Sequence, residues 1–458
     1  MKRVIQYNFK PNSAQSSILK ELTRATYKLW NIANYQRKQY DKNSGLPYPN
    51  WFYQKKILKD TYWYKQLPSQ SAQEVLNTLN QSWKSFFVLL KKFNNHKIEN
   101  KPNPPKFKHS AFNIRFLNNS FRIKDNKLLL TLSKQFKLYL KEKYNINEKY
   151  LIIKINKAYI NKLLSGNLKM IEIIPLNNNY KVNMIVEFLD NVIELKEVNN
   201  EQIYMSIDFG VNNLMTCYIS NDKTFIISGR QFLSINRYFD KTISYYQSIS
   251  DKQQSAKGIK YPKKSKRVKK LYEKGNKQIY HLIHAATKKI IDIAKSNNVD
   301  TIVIGDITNI RKNNNIGKQN NQKFHKLPFK ILENQIKYKA NENNIKVEKQ
   351  EESYTSMCSP LSPMVDKQYA IKSNRKYRGL YKENNQIYNA DCVGAYNILR
   401  KYFHCHENHN MYLCRIDNNI YSAVVGLDSP TMYQWGSDKW VCRNMNPLTV
   451  ENRKLAYL

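Results

Sequence analysis

The order of predicted elements beyond residue 202 restricts the fold more than any other feature of this chain. Short apolar runs predict three strands in close succession, at 203–209, 213–219 and 223–228, followed by long basic helices. Strand and helix then alternate. The later elements are a strand at 299–306, a helix at 327–343, a strand at 345–350 and a helix at 390–402. Three strands, a helix and then alternating strands and helices predict an α/β sheet of about five strands.

This order of elements is that of the ribonuclease-H-like fold. We therefore expect a multidomain α/β protein in which such a domain follows an amino-terminal half of a different kind. In that first half, residues 1–10 predict a strand and residues 12–100 are mostly helical. Residues 112–192 then show the short alternating runs of a small β-barrel or sheet, before a polar linker at 193–201.

The strongest helix signal of the first half starts near Ser71. Ser71 and Glu74 show the pattern of a capping box, and apolar residues follow at steps of three and four from Val75 to Phe93. The opposite face carries the side-chain amides of Gln73, Asn77, Asn80 and Gln81. Such a face is commonly only solvated, but amides also hydrogen-bond to base edges in nucleic acids, so both interpretations stay open.

The charge balance indicates a polyanionic partner. The 458 residues include 76 Lys and Arg but only 35 Asp and Glu, which gives a formal net charge of +41. Such an excess is typical of nucleic-acid-binding proteins, with an anionic membrane surface as the weaker alternative. No apolar run reaches the length of a membrane span, and the six cysteines lack the spacing of a disulfide framework. We therefore expect a soluble cytoplasmic protein with reduced thiols.

A basic run at 258–270 precedes the long helix of the second half. A charge run is most simply a solvated helix face, but in a nucleic-acid-binding protein it would line a channel through phosphate contacts. The candidate contacts are Lys263, Lys264, Lys266, Arg267, Lys269 and Lys270.

Two aspartates stand in otherwise nonacidic blocks. Asp208 ends an apolar run just before Gly210, and Asp391 lies near the start of the last predicted helix. Alone, Asp208 is most simply a turn or cap residue, and Asp391 is an acid favoured by the helix dipole. Together they also fit phosphodiester hydrolysis by two divalent ions, which needs several carboxylates around a space about 4 Å across.

Several blocks together resemble the TnpB family of transposon-encoded, RNA-guided DNA endonucleases, relatives of the type V CRISPR effectors. The blocks I-D-F-G-V-N-N-L-M-T at 207–216, I-V-I-G-D at 302–306 and N-A-D-C-V-G-A-Y-N-I-L at 389–399 resemble the three parts of the family's RuvC nuclease domain. Further resemblance lies in Y-N-F-K-P-N-S-A-Q near the amino terminus and in Y-T-S at 354–356. The matches are spread over residues 1–402.

The chain departs from the family pattern at 358–388. The family commonly holds zinc there with two C-x-x-C pairs, but only Cys358 is present, and one thiolate cannot complete a four-ligand site. We expect a target-nucleic-acid-binding insertion without a zinc site. It is still basic, through Lys372, Arg375, Lys376 and Arg378. In the tail at 403–458, whose role is open, the histidines and cysteines are too irregularly spaced to predict a metal site.

The second departure is in the central block, where Gly305 replaces the family's usual glutamate. Side chains alternate along a strand, so Asp306 is expected to point away from the vacant position. The next strand ends in E-E-S-Y-T-S, and some relatives with glycine in the central block carry the acid in such a run. The resemblance therefore favours Glu352 as the third acid, over Glu351, Asp306 or no functional acid.

The resemblance also implies a domain organisation. Residues 1–11 and 101–198 would form a wedge-like β-barrel, and residues 12–100 a helical recognition lobe. Residues 202–357 and 389–402 would form the RuvC-like nuclease domain.

The implied activity is Mg²⁺-dependent cleavage of DNA. Asp208, Glu352 and Asp391 would act as catalytic residues that bind two Mg²⁺ ions. The implied partners are a guide RNA and a double-stranded target DNA that is cut next to a short flanking motif, with the amide face as its contact. The alternatives are a nuclease-inactive, RNA-guided DNA-binding repressor and a small type V CRISPR effector, while the oligomeric state stays open.

Overall fold

The chain folds into two compact units, Met1–Asp190 and Asn191–Leu458. The computed structural model describes residues 2–110, 112–176, 179–188, 202–306, 317–375, 379–383, 386–405 and 426–444. Both units combine helices with β-sheets, so the expected multidomain α/β architecture is confirmed. Among the helices in these residues, none has the length and apolar character needed to cross a membrane.

The described residues of the first unit form strands and helices in the predicted order. The strands are β1 (Lys2–Phe9), β2 (Ile114–Leu117), β3 (Phe121–Lys124), β4 (Lys127–Thr131), β5 (Tyr150–Lys154), β6 (Asn167–Leu176) and β7 (Asn179–Glu187). The helices are α1 (Ser13–Lys38), α2 (Trp51–Ile57), α3 (Tyr62–Lys65), α4 (Ser69–Asn94), α5 (Lys134–Tyr144) and α6 (Lys157–Leu164).

The strands of the first unit form two antiparallel sheets. One has the order β1-β7-β6-β2, and the other has the order β3-β4-β5. Alternate residues of β2 and β4 are buried, as expected of strands with one face on a core. Buried side chains from both sheets and from α1 and α4 belong to one apolar cluster. Strands β1 and β2 belong to the same sheet, and helices α1 to α4 are inserted between them in the sequence.

Helix α4 begins two residues before its predicted start. Its first residue is Ser69, and no side chain caps it. The predicted capping box of Ser71 and Glu74 is therefore wrong. Ser71 is buried, and the Glu74 carboxylate accepts from Arg115 of β2 at 3.0 Å. Glu74 therefore pairs with Arg115, which is distant in sequence, and does not cap the start of α4.

The second unit also follows the predicted order. Its described strands are β8 (Tyr204–Phe209), β9 (Asn213–Ile219), β10 (Lys223–Ser228), β11 (Thr301–Gly305), β12 (Lys346–Gln350), β13 (Leu380–Glu383), β14 (Gln386–Asn389), β15 (Thr431–Gly436) and β16 (Lys439–Asn444). Its described helices are α7 (Arg230–Ala256), α8 (Lys266–Ser296), α9 (Lys318–Lys326), α10 (Phe329–Asn341) and α11 (Ala390–Cys405).

One large sheet organises the second unit, with the strand order β12-β11-β8-β9-β10-β15-β16. Strands β8, β9 and β10 are antiparallel neighbours, whereas β11 runs parallel to β8 and β12 runs parallel to β11. Helices α8 and α10 cover one face, and α11 packs on the other, which is why β8 is buried almost throughout. Since β8, β11 and β12 are parallel, their carboxyl ends meet at the same edge of the sheet.

The tail contributes two strands that the sequence did not predict. Strand β15 runs parallel to β10, and β16 pairs antiparallel with β15. Most residues of β15 are only half-buried, so the segment lacks the clear apolar alternation by which strands are recognised. His406, His409 and Cys414 lie outside the described residues.

Candidate functional site

The end of β8 and the start of α11 bring Asp208 and Asp391 to the same edge of the sheet. Asp208 is the penultimate residue of β8, and Asp391 is in the first turn of α11. A Cβ atom at position 394 would lie 2.8 Å from Asp208 Oδ2, so Gly394 allows the helix to pack closely against this carboxyl group. Ser206 Oγ also donates to Ala395 O at 2.6 Å and ties the helix to the strand.

Glu352 lies directly against Gly305. Strand β12 ends at Gln350, which pairs with Gly305, and Glu352 follows two residues later. A Cβ atom at position 305 would overlap Glu352 Oε1 and lie only 2.6 Å from its Cδ. A side chain at this position therefore requires Glu352 to move. The Glu352 carboxyl group can therefore occupy this position only because residue 305 has no side chain.

Burial and like charge raise the pKa of two of these acids. Burial, together with the charges of Glu352 and Asp391, raises the pKa of Asp208 well above its usual value. Burial also raises the pKa of Glu352 to about 7, and the charges of Asp306 and Glu351 add to this shift. Glu352 Oε1 is buried and receives no hydrogen bond. Carboxyl groups in this environment favour binding of a proton or a cation.

Two neighbouring groups contact the Asp391 carboxylate. Asn213 Nδ2 donates to Asp391 Oδ2 at 2.7 Å, and Arg375 Nη2 lies 3.5 Å from Oδ1. The positive charge of Arg375 also opposes the rise in the pKa of Asp208. Sequence reasoning missed Asn213. The only sequence feature that could have indicated a role for Asn213 is its position five residues after Asp208, at the start of β9.

The two alternative acids each have a lysine partner. Glu351 is exposed, forms an ion pair with Lys401 and accepts a hydrogen bond from Ser353 N at 2.7 Å. Asp306 lies 3.4 Å from Lys349 Nζ. Although burial acts in the opposite direction, the hydrogen bonds from Lys401 and Ser353 lower the pKa of Glu351. Each of these carboxylates thus has a cationic neighbour, whereas Glu352 Oε1 receives no hydrogen bond.

The donor set at this edge is suited to a hard divalent cation. Carboxyl oxygens are the ligands that Mg²⁺ prefers, and a buried oxygen without a hydrogen bond is present in Glu352. Across the described residues, no three His, Cys, Asp or Glu side chains already converge as a metal site. Burial and the charges of Glu352 and Asp391 raise the pKa of Asp208, and a bound cation would offset the repulsion between these charges.

Comparisons with known proteins match the blocks that carry this site. Residues 180–311 match the OrfB_IS605 family, described as a probable transposase, and residues 329–398 match the Cas12f1-like TNB domain. The TnpB-like protein ORF457 of Acidianus two-tailed virus is 26% identical over 418 residues, which cover 85% of this chain and 84% of that protein. The chain is a relative of the TnpB family.

Solved structures similar to this TnpB relative include two complexes with nucleic acid. The Cas12f1-sgRNA-target DNA complex aligns at a TM-score of 0.33 and 17% identity, covering 87% of this chain and 98% of that chain. CasPhi-2 (Cas12j) bound to crRNA and phosphorothioate-DNA aligns at a TM-score of 0.45 and 9% identity, covering 87% and 91%. Both TM-scores lie below 0.5, so the similarity to TnpB-like proteins rests on the sequence matches.

In this TnpB relative, the predicted basic residues lie on the surface at the start of α8. Ser265 caps the helix by accepting from Val268 N at 3.3 Å. Arg267 stacks over the Tyr246 ring at 3.6 Å. The six candidate side chains are all exposed: Lys263, Lys264, Lys266, Arg267, Lys269 and Lys270. They are therefore accessible to phosphate groups.

The predicted amide face of α4 is only partly available to a ligand. Asn80 Oδ1 accepts from Arg37 Nη2 at 3.1 Å, and Asn77 Nδ2 donates to a neighbouring glutamate at 3.1 Å. Gln73 is partly buried, whereas Gln81 is exposed. The Gln73 side chain also hydrogen-bonds to Tyr64, so three of the four amides have structural partners, and Gln81 is the most accessible of them.

The segment at 358–388 contains a buried thiol that hydrogen-bonds within the chain. Cys358 is buried and unpaired with another cysteine, and its Sγ donates to Asp366 O at 3.1 Å. Lys372 is exposed, and Arg375 lies beside Asp391. Lys376 and Arg378 are outside the described residues.

Proposed function

We propose that this protein is an RNA-guided DNA endonuclease that cleaves target DNA next to a short flanking motif. The observation that carries the proposal is the fit of Glu352 against Gly305, which supplies a third carboxyl group at the edge where Asp208 and Asp391 meet. The order of β10, β9, β8, β11 and β12, with helices on both faces, supports a ribonuclease-H-like domain of RuvC type.

Asp208, Glu352 and Asp391 would hold two Mg²⁺ ions. When bound, the ions supply a water nucleophile of lowered pKa and neutralise charge on the phosphate. The chain's own residues would orient these carboxyl groups. Asn213 holds one oxygen of Asp391, and Gly305 leaves the space that the Glu352 carboxyl group occupies. In-line attack by water on the phosphorus would leave a 5′-phosphate on the product.

The proposed partners are a guide RNA and a double-stranded target DNA. The net charge of +41 and the exposed basic surface at the start of α8 support a nucleic-acid channel. In this proposal the two sheets of the first unit act as the wedge-like β-barrel, and α1 to α4 act as the recognition lobe. Segment 358–388 would contact the target strand without zinc.

The test is cleavage by the full-length protein purified with the RNA that it binds in the expressing cell. Target DNA matching that RNA, next to a randomised flank, should be cut in Mg²⁺ and not in a chelator. Asp208→Ala should remove cleavage, whereas Asp306→Ala, the same change at the end of the neighbouring strand, should retain it.

Two results would overturn the nuclease assignment. One is binding of guide and target by the unmodified protein without any cut in Mg²⁺, which would identify a guided DNA-binding protein. The other is equal cleavage by Asp208→Ala. Absence of co-purifying structured RNA would exclude the guide.

A further inference from the structure

A buried hydrogen-bond chain links Asn397 of α11 to the backbone that carries Glu352. Asn397 is 0% exposed, and its Nδ2 donates to Thr355 O at 2.8 Å and to Cys358 O at 2.9 Å. Thr355 in turn donates to Glu352 O, from its backbone N at 3.2 Å and from Oγ1 at 2.8 Å. One side-chain amide therefore holds the turn that follows Glu352.

The turn after Glu352 has a strained backbone that needs hydrogen bonds from other parts of the chain. Tyr354 adopts a φ of 67°, in the left-handed region that is unfavourable for residues other than glycine. Its carbonyl accepts from Met357 N at 2.9 Å and from Cys358 N at 3.0 Å. A turn with such backbone strain persists only where the surroundings fix it, and the Asn397 amide supplies two of the fixing bonds.

Arg400 fixes the orientation of the Asn397 amide. It lies one turn later on α11, and its Nη1 donates to Asn397 Oδ1 at 2.8 Å and to Ser359 O at 2.9 Å. Its Nη2 donates to Ser362 O. Because the amide oxygen accepts from Arg400, the amide nitrogen is left to donate to the turn. The buried guanidinium and amide thus act as one anchor for residues 355–362.

We propose that Asn397 is a positioning residue that sets the place of Glu352 relative to Asp391. Both Asp391 and Asn397 belong to α11, so a single helix carries one acid and, through Thr355, fixes the backbone of another. The consequence for DNA cleavage rests on the proposed function. The positioning itself is a property of the protein without metal.

The test replaces this amide and compares the result with a matched change elsewhere in the same unit. Asn397→Leu removes both hydrogen-bonding groups at similar volume. Gln335→Met does the same at a buried amide of α10 whose Oε1 accepts from Thr287 Oγ1 at 2.9 Å. A second variant, Thr355→Val, removes the hydrogen bond from Thr355 Oγ1 to Glu352 O. It tests the same series of hydrogen bonds if Asn397→Leu fails to fold.

The first readout is amide hydrogen exchange of the peptide 352–359 in metal-free protein. Exchange should be at least about tenfold faster in Asn397→Leu and Thr355→Val, and unchanged in Gln335→Met. The second readout is the Mn²⁺ concentration that gives half of the metal-induced rise in melting temperature. It should increase by roughly 10- to 100-fold, as for loss of a residue that orients a metal ligand.

The outcomes separate this inference from the proposed function. If the unmodified protein cleaves DNA while Asn397→Leu keeps the same exchange rate and Mn²⁺ midpoint, the positioning role is wrong and the nuclease assignment stands. If the unmodified protein does not cleave, the nuclease assignment fails, yet the exchange rates still decide the positioning. Equal changes in Asn397→Leu and Gln335→Met would show general destabilisation and overturn the inference.

Discussion

The Glu352 carboxyl group occupies the volume that a side chain at Gly305 would need. Gly305 ends β11 and pairs with Gln350, the last residue of the adjacent parallel strand β12, and Glu352 follows Gln350 by two residues. Glycine at 305 therefore makes room for an acid that arrives from the neighbouring strand. The carboxyl group beside Gly305 thus comes from the segment after β12 and not from β11 itself.

We expect Gly305→Ala to disturb both folding and cleavage. The added methyl group would overlap Glu352, so the free energy of unfolding should fall by about 1–3 kcal/mol, as in other overpacked sites. Cleavage should fall by at least about tenfold because the carboxyl group must move. Thermal unfolding and single-turnover cleavage measure the two effects.

The double variant Gly305→Glu/Glu352→Ala is the sharper test of this arrangement. It places an acid on β11 and removes the side chain that it would overlap, so it should cleave faster than Glu352→Ala alone. Wild-type stability and cleavage in Gly305→Ala would contradict the steric account.

The placement of Glu352 was predictable, whereas its supporting residues were not. The adjacency of parallel strands predicts an acid after β12 near Gly305, and the period of two means that only one of Glu351 and Glu352 faces it. The choice of Glu352 came from the resemblance to the TnpB family. Asn213, Arg375 and Asn397 reach the site only through tertiary packing. No local pattern distinguishes such residues from ordinary polar ones before the chain is folded.

Raised pKa values predict that metal-free protein loses stability as the pH rises. Burial raises the pKa of Glu352 to about 7 from its ordinary 4.5, and the pKa of Asp208 moves in the same direction. The protonated carboxyl group is thus favoured by folding, and this stabilisation is complete below pH 4.5 and lost as the pH rises through 7.

Comparison with Glu352→Gln isolates this effect. Between about pH 5 and pH 8, the unmodified protein should lose on the order of 3 kcal/mol more than the variant, measured by denaturant unfolding in a chelator. Mg²⁺ should stabilise the unmodified protein more at the higher pH, because it competes with the proton. Equal pH slopes for the two proteins would show that Glu352 titrates normally.

The amides of α4 should separate into structural and accessible ones. Asn80→Ala removes the acceptor of Nη2 of the buried Arg37, whose Nε still donates to Gln54, and should cost about 1–3 kcal/mol of unfolding free energy. Gln81→Ala, at an exposed position of the same helix, should change stability by less than about 0.5 kcal/mol. If α4 contacts the flanking motif, Gln81→Ala should alter the preferred flank in a randomised-library cleavage assay. An unchanged preference would remove Gln81 from that role.

Folding of the segment around Cys358 should not depend on zinc. Asn397 and Arg400 hold its carbonyl groups, and the Cys358 thiol is engaged with Asp366 O. Purified protein should contain less than about 0.1 zinc per chain, since one thiolate does not complete a tetrahedral site. A zinc chelator should leave the melting temperature unchanged. A zinc content near one per chain, lost together with stability on chelation, would contradict this.

The basic surface at the start of α8 should act through charge alone. Lys269→Gln/Lys270→Gln removes two exposed cations and should lower the slope of log affinity against log salt for bound RNA or DNA by about 1.4–1.8. The control Lys141→Gln/Lys149→Gln makes the same charge change at exposed positions of the first unit. Equal slope changes in both variants would indicate a nonspecific charge effect. A larger change in the first variant, measured over several salt concentrations, would place phosphate groups beside α8, on the same unit as the carboxylates that they must reach.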